Sequence, residues 1–354
     1  MSWSLDRAEE HLLSLELFGM RFGLERMRRL LTALGSPQAT FRAVHVVGTN
    51  GKSSTTRFAA AMLEAHGVRA GAYLSPHLRS FAERIRIGDR DLPADEFGAV
   101  VERVAAAARK VERGLDEGDR ITQFELLTAA AFCALAEGGV EVAAIEAGLG
   151  GRWDATNVLD APVVVLTNVG LEHTRWLGPT VADIAAEKLA VVRPGAVLVL
   201  GDRQAEVGAL AAATGAEVRP VGEELDVALP RYQRRNAALA AEAVRATLGS
   251  VDEALLRSAA SAVAVPGRFQ RVAEEPLTII DGAHNPAGME ALVEALPDAV
   301  GSRPLVACVS ILDDKDAAGM LRALLPLCSA LVCTTSANPR SLPPATLGSL
   351  AGQL

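Results

Sequence analysis

The chain has 354 residues, of which 50% are hydrophobic and 22% charged, and its formal net charge is −8. This composition is typical of a globular protein and excludes disorder and coiled coils, while the length favours two domains. The negative charge argues against a nucleic-acid partner. No apolar run approaches the roughly 20 residues that span a membrane, and the N-terminus lacks the basic start and apolar core of a signal peptide. We therefore expect a cytoplasmic protein.

The first predicted elements lead to a turn rich in glycine. Residues 5–34 carry apolar side chains at helical spacing, interrupted near residues 19–23. A β-branched run predicts a strand over residues 44–47, and the turn Gly-Thr-Asn-Gly-Lys at residues 48–52, here called the phosphate loop, leads into an amphipathic helix. Backbone N–H groups and the positive end of the helix dipole converge in such a turn, so it predicts a phosphate site.

The spacing of the phosphate loop is Gly-x2-Gly-Lys-Ser, which is shorter than the common Gly-x4-Gly-Lys-Ser/Thr motif. Lys52 would contact the β- and γ-phosphates of a nucleotide, and the hydroxyl of Ser53 or Ser54 would reach a magnesium ion. Such a turn also occurs as a purely structural feature, so the motif by itself leaves both interpretations open.

Strands and helices alternate through the next 150 residues. Strands are predicted over residues 70–74, 140–147, 162–168 and 196–200, and helices over 94–111, 123–137 and 180–192; Thr122 and Glu125 have the spacing of a capping box. This alternation predicts an α/β fold with a doubly wound, mostly parallel sheet, whose active groups gather at the carboxyl ends of the strands. The residues at or just beyond such ends are Lys52, Ser75, Glu146 and His173.

A second domain is predicted near the C-terminus. After helices over residues 232–248 and 252–263, Pro266 and Gly267 break the pattern and a new alternation begins at Leu277. Its predicted strands cover residues 277–281, 304–309 and 330–335, and its helices cover 287–296 and 316–326. We therefore expect a domain over residues 1–265 and a smaller Rossmann-like α/β domain over residues 266–354.

Several polar residues at the strand ends are suited to magnesium, which prefers oxygen ligands and is often held by one or two protein groups plus phosphates. Glu146 would supply a carboxylate and Ser75 a hydroxyl. Structural interpretations stay open at this point: a strand-end carboxylate for Glu146, a hydrogen-bonded turn histidine for His173 and a solvated helix lysine for Lys188.

The second domain offers a further candidate segment, Asp-Gly-Ala-His-Asn-Pro at residues 281–286, where its first strand meets a helix. Ligands are contacted at such positions in α/β sheets, although a tight turn alone also explains the pattern. Arg268, just after the proposed boundary, would either approach a phosphate or serve as a linker residue.

Lysine is rare in this chain. Only four of the 35 basic residues are lysines, namely Lys52, Lys110, Lys188 and Lys315. Because arginine supplies nearly all the other positive charges, a lysine at these four positions indicates that the amine itself is needed. The alternative interpretation is that the four lysines occur there by chance. The four cysteines form no Cys-x2-Cys pair, which predicts buried, reduced thiols rather than a metal site or disulfides.

The motifs of this sequence, taken in order, resemble those of a known protein family. In chain order they are GLERMRRLL, GTNGKSST, YLSPHL with AERIRI, EAGLGGRWDATNV, TNVGLEHT, AAEKLAVV, RYQRRN, PGRFQ, DGAHNP and DDKD. From about residue 6 to about residue 340 this series resembles the folylpolyglutamate synthase and dihydrofolate synthase family, within the Mur ligase superfamily.

The resemblance implies an ATP-dependent amide ligase. A carboxylate would attack the γ-phosphate of ATP, an acyl phosphate would form, and the amine of L-glutamate would displace phosphate. Such a reaction depends on orientation and charge neutralisation. The implied acceptor is dihydropteroate, a reduced folate or both; we expect a monomer, with no nucleic-acid or membrane partner.

The resemblance also implies roles for individual residues. Two magnesium ions would be held, the first by Ser75 and Glu146 and the second by His173, and Lys188 would be carbamylated and act as a metal ligand. The implied catalytic residues are Lys52, Glu146, His173 and Lys188. The implied ATP-binding residues are Gly48, Thr49, Asn50, Gly51, Lys52, Ser53, Ser54, Asn236, Arg268, Asp281 and His284. The pterin end would lie near residues 23–28 and the loop over residues 75–84, with Arg26, Pro76, His77 and Arg84 as substrate residues.

The sequence departs from the family pattern in three places. Ser53 stands where the family usually has glycine, so it competes with Ser54 for the role of the loop serine. The segment between Leu200 and Arg231 is short, and the sequence ends at Leu354, before a final helix and strand of the family. We therefore expect a minimal or truncated second domain with an exposed sheet edge.

Three other functions were weighed. A different Mur-superfamily ligase, acting on a UDP-linked precursor, would need a nucleotide-sugar domain before Gly48, and fewer than fifty residues precede it. A P-loop ATPase working through protein partners would not need the group formed by His173 and Lys188. A non-catalytic scaffold is disfavoured by the intact phosphate and metal groups.

Overall fold

The computed structural model describes residues 2–15 and 23–354. The chain divides into two compact units, the first formed by Met1–Val227 and Arg235–Val263 and the second by Ala228–Arg234 and Ala264–Leu354. The predicted interruption of the first helix near residue 19 falls within residues 16–22, which lie outside the described residues.

The described helices are α1 (Leu5–Ser14), α2 (Glu25–Ala33), α3 (Lys52–Ala65), α4 (Ala94–Glu112), α5 (Gln123–Glu137), α6 (Thr174–Leu177), α7 (Val181–Leu189), α8 (Ala205–Ala212), α9 (Arg231–Leu248), α10 (Glu253–Ala262), α11 (Pro286–Val300), α12 (Ala317–Leu324) and α13 (Pro344–Gln353). The described strands are β1 (Arg42–Val47), β2 (Ala70–Tyr73), β3 (Ile85–Ile87), β4 (Arg90–Asp91), β5 (Val142–Glu146), β6 (Val163–Leu166), β7 (Val197–Leu200), β8 (Glu217–Pro220), β9 (Gln270–Glu274), β10 (Leu277–Ile280), β11 (Val306–Val309) and β12 (Ala330–Cys333). None of these helices has the length and apolar character needed to cross a membrane.

An eight-stranded sheet forms the centre of the first unit, with strand order β4-β3-β2-β5-β1-β6-β7-β8. The six neighbouring strands β2, β5, β1, β6, β7 and β8 pair in parallel. At one edge, β3 pairs antiparallel with β2, and β4 pairs antiparallel with β3. The prediction of a doubly wound, mostly parallel sheet is therefore confirmed. The hairpin of β3 and β4 was missed, because strands of two or three residues are too short to show a period-2 pattern.

The register of the sheet determines which side chains meet. Val46 of β1 is level with Glu146 of β5 on one side and with Val165 of β6 on the other. The carboxyl ends of these three neighbouring strands therefore lie at one edge, and the loops that follow them start side by side. This is why the phosphate loop and Glu146, which are almost a hundred residues apart in sequence, share a site.

Helix α5 packs at the centre of the first unit's core. It is buried on almost every face, from Leu126 to Leu135, which fits its nearly continuous apolar sequence. The predicted capping box is confirmed, since the Thr122 hydroxyl accepts a hydrogen bond from the Glu125 N–H and the Glu125 carboxylate accepts one from the Thr122 N–H. Both bonds satisfy N–H groups that the first helical turn leaves without partners.

The second unit packs α11, α12 and α13 against two strand pairs, the antiparallel β9 and β10 and the parallel β11 and β12. Side chains on the strand face away from these helices remain exposed, including Val306 at 60% and Val332 at 49%. Cys308 also lies on this face. All four cysteines are free, but only Cys133 is buried as predicted, whereas Cys328 and Cys333 are half-buried. The prediction is wrong for Cys308, which is exposed because alternate residues of a strand face opposite sides.

Candidate active site

The phosphate loop joins β1 to α3 through two glycines with positive φ. Gly48 has φ +150° and Gly51 has φ +84°, a conformation that favours residues without a side chain. A Cβ atom on Gly48 would lie 1.9 Å from the hydroxyl oxygen of Thr167, and one on Gly51 would lie 2.4 Å from the Oδ1 atom of Asn236. The structure thus brings Asn236, one of the predicted nucleotide residues, against the phosphate loop.

Lys52 and Lys188 meet at the phosphate loop. The Nζ atom of Lys188 donates a hydrogen bond of 2.7 Å to the Gly48 carbonyl oxygen, and the Nζ atom of Lys52 donates bonds of 3.2 and 3.3 Å to the carbonyl oxygens of Gly48 and Thr49. Lys188 is only 4% exposed, so its interpretation as a solvated helix lysine is wrong. The nearly complete burial of this amine was not visible from the sequence.

Burial, and then the charge of Lys52, lower the pKa of Lys188 to about 7, against the opposing effects of Glu172 and Asp154. Near neutral pH a substantial fraction of Lys188 is therefore an uncharged amine. Lys52 in contrast lies at the start of α3, half-buried, where its side chain can reach a bound anion.

Glu146 lies at the end of β5 and is 1% exposed. Its carboxylate accepts a hydrogen bond of 2.9 Å from the Ser53 hydroxyl and one of 3.0 Å from the Ser75 backbone N–H. The Ser53 hydroxyl also lies 3.2 Å from the Ser75 carbonyl oxygen. Ser54 is buried within α3, at 2% exposure. Of the two candidate serines, it is Ser53 that contacts the predicted metal carboxylate.

The oxygen atoms around Glu146 are of the type that magnesium prefers. They comprise a carboxylate, a serine hydroxyl and a backbone carbonyl, and among the described residues no three His, Cys, Asp or Glu side chains are placed to hold a metal ion by themselves. A magnesium ion here would therefore take other ligands from phosphate and water, as is usual for this ion. The donor set fits one such ion.

His173 lies at the start of the short helix α6 and has the left-handed φ of +52°. Its imidazole is exposed, and its Nε2 atom is 4.0 Å from a carboxylate oxygen of Glu172. The segment that leads to it, residues 167–173, is hydrogen-bonded to the phosphate loop through Asn168 and Gly170. The structure thus places His173 on a segment attached to the loop, on the exposed side.

Asp154 is a buried residue of this region that the sequence reasoning did not single out. Its carboxylate accepts hydrogen bonds from the backbone N–H groups of Leu149 and Thr156 and from the Thr156 hydroxyl. Burial raises the pKa of Asp154, and these hydrogen bonds oppose the shift. The carboxylate shapes the loop that follows Glu146. Its position eight residues after a strand-end glutamate gave no periodic signal.

In the second unit, Asp281 organises the predicted ligand segment. Its carboxylate accepts hydrogen bonds of 2.8 Å from the Tyr232 hydroxyl, 2.7 Å from the Phe269 N–H and 2.8 Å from the Ala283 N–H. Arg268 donates to the Gly267 carbonyl oxygen at 3.0 Å. The His284 imidazole is exposed, with Nδ1 2.9 Å from the Gly282 carbonyl oxygen. Tyr232 was missed because an aromatic residue in a helical pattern reads as core.

The predicted substrate residues fall into two groups. Arg84 donates from Nε to Nδ1 of His77 at 3.0 Å, and Pro76, next to them, is exposed and follows a cis peptide bond. Burial, and then the charge of Arg84, lower the pKa of His77. Because its Nδ1 atom accepts the hydrogen bond from Arg84, the neutral ring carries its proton on Nε2. Arg26 instead lies buried in α2, where its guanidinium forms ion pairs with Glu125 and Asp119 at 3.1 and 3.2 Å.

Comparisons with known proteins show which family the chain resembles. The family model of the Mur ligase glutamate ligase domain matches residues 267–353. A dihydrofolate synthase/folylpolyglutamate synthase of Mycobacterium tuberculosis is 34% identical in an alignment that covers 93% of this chain and 77% of the relative.

Solved structures extend the similarity to the whole fold. Mycobacterium tuberculosis folylpolyglutamate synthase complexed with ADP has a TM-score of 0.92 at 33% identity, covering 99% of this chain and 86% of that chain. A bifunctional folylpolyglutamate synthase/dihydrofolate synthase with Mn, AMPPNP and L-glutamate bound has a TM-score of 0.86 at 30% identity, covering 98% and 87%. The chain therefore belongs to the folylpolyglutamate synthase and dihydrofolate synthase family of ATP-dependent ligases.

Proposed function

We propose that this protein uses ATP to join L-glutamate to dihydropteroate, to the glutamate tail of a reduced folate, or to both. The observation that carries the proposal is the convergence of Lys52 and Lys188 on one carbonyl of the phosphate loop, with the buried carboxylate of Glu146 at the same sheet edge. Relatives that carry ADP, AMPPNP and L-glutamate support it.

The phosphate loop would bind the nucleotide. The first intrahelical hydrogen bond of α3 runs from the Thr55 N–H to the Gly51 carbonyl oxygen, so the N–H groups of Lys52, Ser53 and Ser54 remain for a phosphate. Lys52 would leave its carbonyl partners and neutralise the β- and γ-phosphates. Asn236 lies against Gly51 and would contact the nucleotide next to the loop, together with Thr49 and Asn50.

The acceptor carboxylate would attack the γ-phosphate, giving ADP and an acyl phosphate, and the glutamate amine would then displace phosphate to form the amide. The protein's contribution is orientation and a fixed positive field, since charge moves onto phosphate oxygens during both steps. In the second unit, Arg268, Asp281 and His284 are proposed to contribute to nucleotide binding.

A bound magnesium ion would supply positive charge at the phosphate, which would reduce the repulsion between phosphate and the incoming carboxylate. Ser75 and Glu146 are the proposed holders of a first ion, and the Ser53 hydroxyl, which contacts Glu146, belongs with them. His173 is the proposed holder of a second ion. Carbamylation of Lys188 is proposed because its buried amine, with a pKa of about 7, is partly unprotonated near neutral pH and a carbamate would present oxygen ligands.

The acceptor end is proposed to bind at the exposed loop of Pro76 and His77, beside Arg84. Arg26 was predicted to contribute as well, although its guanidinium already pairs with two carboxylates. A monomer and a cytoplasmic location complete the proposal.

The deciding experiment measures ADP release by the purified protein with ATP, magnesium and L-glutamate. Parallel reactions contain dihydropteroate, tetrahydrofolate or no acceptor, and each is repeated without glutamate. If ADP release requires glutamate and occurs with dihydropteroate but not with tetrahydrofolate, the protein is a dihydrofolate synthase. If it occurs only with tetrahydrofolate, the protein is a folylpolyglutamate synthase, and if it occurs with either acceptor, the protein is a bifunctional enzyme. If ADP release never depends on an acceptor, the proposed function is wrong.

A further inference from the structure

Asn168 follows strand β6 and contacts the phosphate loop through two separate groups. Its side-chain Oδ1 atom accepts a hydrogen bond of 2.9 Å from the Asn50 backbone N–H. Its own backbone carbonyl oxygen accepts one of 2.9 Å from the Thr49 N–H. Two N–H groups in the middle of the loop are thus turned inward, toward β6.

This arrangement divides the N–H groups of the loop between two tasks. Those of Thr49 and Asn50 are held by Asn168, whereas those of Lys52, Ser53 and Ser54 precede the first hydrogen bond of α3 and point out of its N-terminus. Without the Asn168 side chain, the Asn50 N–H would lose its acceptor and the Thr49–Asn50 peptide plane would be less restrained. The orientation of the N–H groups that follow in the loop therefore depends on a residue that contacts Thr49 and Asn50.

Further hydrogen bonds connect the same two segments. The Thr167 hydroxyl donates to the Asn50 carbonyl oxygen at 2.6 Å, and the Gly170 N–H donates to the Thr49 hydroxyl at 3.0 Å. Donors and acceptors thus lie on both sides, and residues 167–170 follow the phosphate loop along its length. His173 lies three residues beyond Gly170, so the segment that presents its imidazole is attached to the loop.

The segment is also held from its other side. The Val169 N–H donates to the Asp202 carboxylate at 2.7 Å, and the Gln204 side-chain amide donates to the Val169 carbonyl oxygen at 2.9 Å. Residues 167–170 therefore lie between the loops that follow β1 and β7. The Gln204 bond stabilises the segment without touching the phosphate loop, which makes Gln204 a matched control for Asn168.

From this geometry we propose that Asn168 is a positioning residue that orders the phosphate loop through the Asn50 N–H and couples it to the His173 segment. Nucleotide affinity and the magnesium requirement then change together when Asn168 is lost. The inference rests on the proposed function only in that the loop binds a nucleotide. It extends the proposed function by assigning a role to a residue that contacts the phosphate loop through the Thr49 and Asn50 N–H groups.

The test compares the full-length wild-type protein with Asn168→Ala and Gln204→Ala. Binding of ADP is measured by calorimetry at several magnesium concentrations, and hydrogen exchange is followed without nucleotide in a peptide that spans the phosphate loop. Asn168→Ala is expected to weaken ADP binding about tenfold, as the loss of one ordering hydrogen bond predicts, to raise the magnesium concentration for half-maximal binding, and to speed exchange in the loop. Gln204→Ala is expected to change each of these by less than about twofold, even if it lowers the melting temperature as much.

The inference is overturned if Asn168→Ala keeps the wild-type ADP affinity, magnesium requirement and hydrogen exchange in the loop. It is also overturned if Gln204→Ala changes these quantities as much as Asn168→Ala does. If Asn168→Ala does not fold, Thr167→Val removes the hydroxyl that donates to the Asn50 carbonyl oxygen from the same segment, and its failure to shift ADP binding and the magnesium requirement together overturns the inference equally. Lys52→Ala separates the two proposals. If Lys52→Ala binds ADP as tightly as the wild type, the proposed nucleotide site is contradicted. If Lys52→Ala weakens ADP binding but Asn168→Ala does not, only the inference is contradicted.

Discussion

Lys52 and Lys188 donate hydrogen bonds to the same atom, the carbonyl oxygen of Gly48, over 3.2 and 2.7 Å. Two amines that share one neutral acceptor lie close together, and the carbonyl can offset only part of their mutual repulsion. A polyanion bound at the loop would relieve this repulsion, because its negative charge would draw the Lys52 ammonium toward it and away from Lys188. The shared carbonyl therefore leaves Lys52 ready to pair with a phosphate chain.

The first prediction concerns Lys52. Lys52→Ala should lower the rate of ATP turnover by a factor of about 100 or more, since a charge that stabilises the transferred phosphoryl group is lost. The matched control is Lys110→Ala, an exposed lysine on α4, which should retain the wild-type rate. Steady-state ADP release checks both, and wild-type turnover in Lys52→Ala would remove the loop from the active site.

The second prediction concerns Lys188. Lys188→Ala should lose most glutamate ligation, by about 100-fold, while ADP binds within about threefold of wild type, because Lys188 contacts the loop from its buried side. Partial rescue by a short carboxylic acid would support a carbamate at this position. Ligation assays and calorimetry decide the matter, and unchanged ligation would show that the buried amine is structural.

The third prediction separates a structural from a substrate role for Arg26. Arg26→Met removes one partner from a buried group that includes Glu125 and Asp119, so we expect the free energy of unfolding to fall by about 3 kcal/mol. Arg29→Met, in the same helix, breaks an exposed pair with Glu25 and should cost less than about 1 kcal/mol.

Urea unfolding measures both variants. A fully stable Arg26→Met protein with a raised KM for the pteridine acceptor would instead assign Arg26 to the substrate.

The fourth prediction is a pH dependence that originates at His45. This residue of β1 is completely buried, its Nε2 atom lies 2.8 Å from the Thr156 hydroxyl, and burial, then the charge of Arg193, lowers its pKa from 6.5 to about 3. Between these values the unfolded chain binds a proton that the folded protein does not. The contribution of His45 to the free energy of unfolding is fully present above pH 6.5. It decreases by about 1.4 kcal/mol per pH unit as the pH drops toward 3.

His45→Gln removes this titration, so the variant should lose less stability than wild type on acidification. The comparison uses the slopes of unfolding free energy between pH 7 and pH 5, which a constant destabilisation of the variant does not affect. Equal slopes for the two proteins would show that His45 titrates normally in the folded state.

The sequence by itself determined the parts of this protein that depend on neighbouring residues. The alternation of strands and helices predicted the mostly parallel sheet, and the Gly-x2-Gly-Lys-Ser spacing predicted the turn between β1 and α3. The position of Glu146 at a strand end followed from the same pattern, because parallel strands present their carboxyl ends at one edge. Thr122 and Glu125 were paired correctly, since the two partners of a capping box lie only three positions apart.

Only the tertiary structure decided the contacts between distant segments. The burial of Lys188 against Gly48, the ion pairs of Arg26 and the hydrogen bonds of Asn168 each join residues more than 90 positions apart. Periodicity reports which face of an element is apolar but not which polar side chain it meets on another element. Ser53 rather than Ser54 contacts Glu146 for the same reason: the rotation of α3 about its axis is set by packing against the sheet.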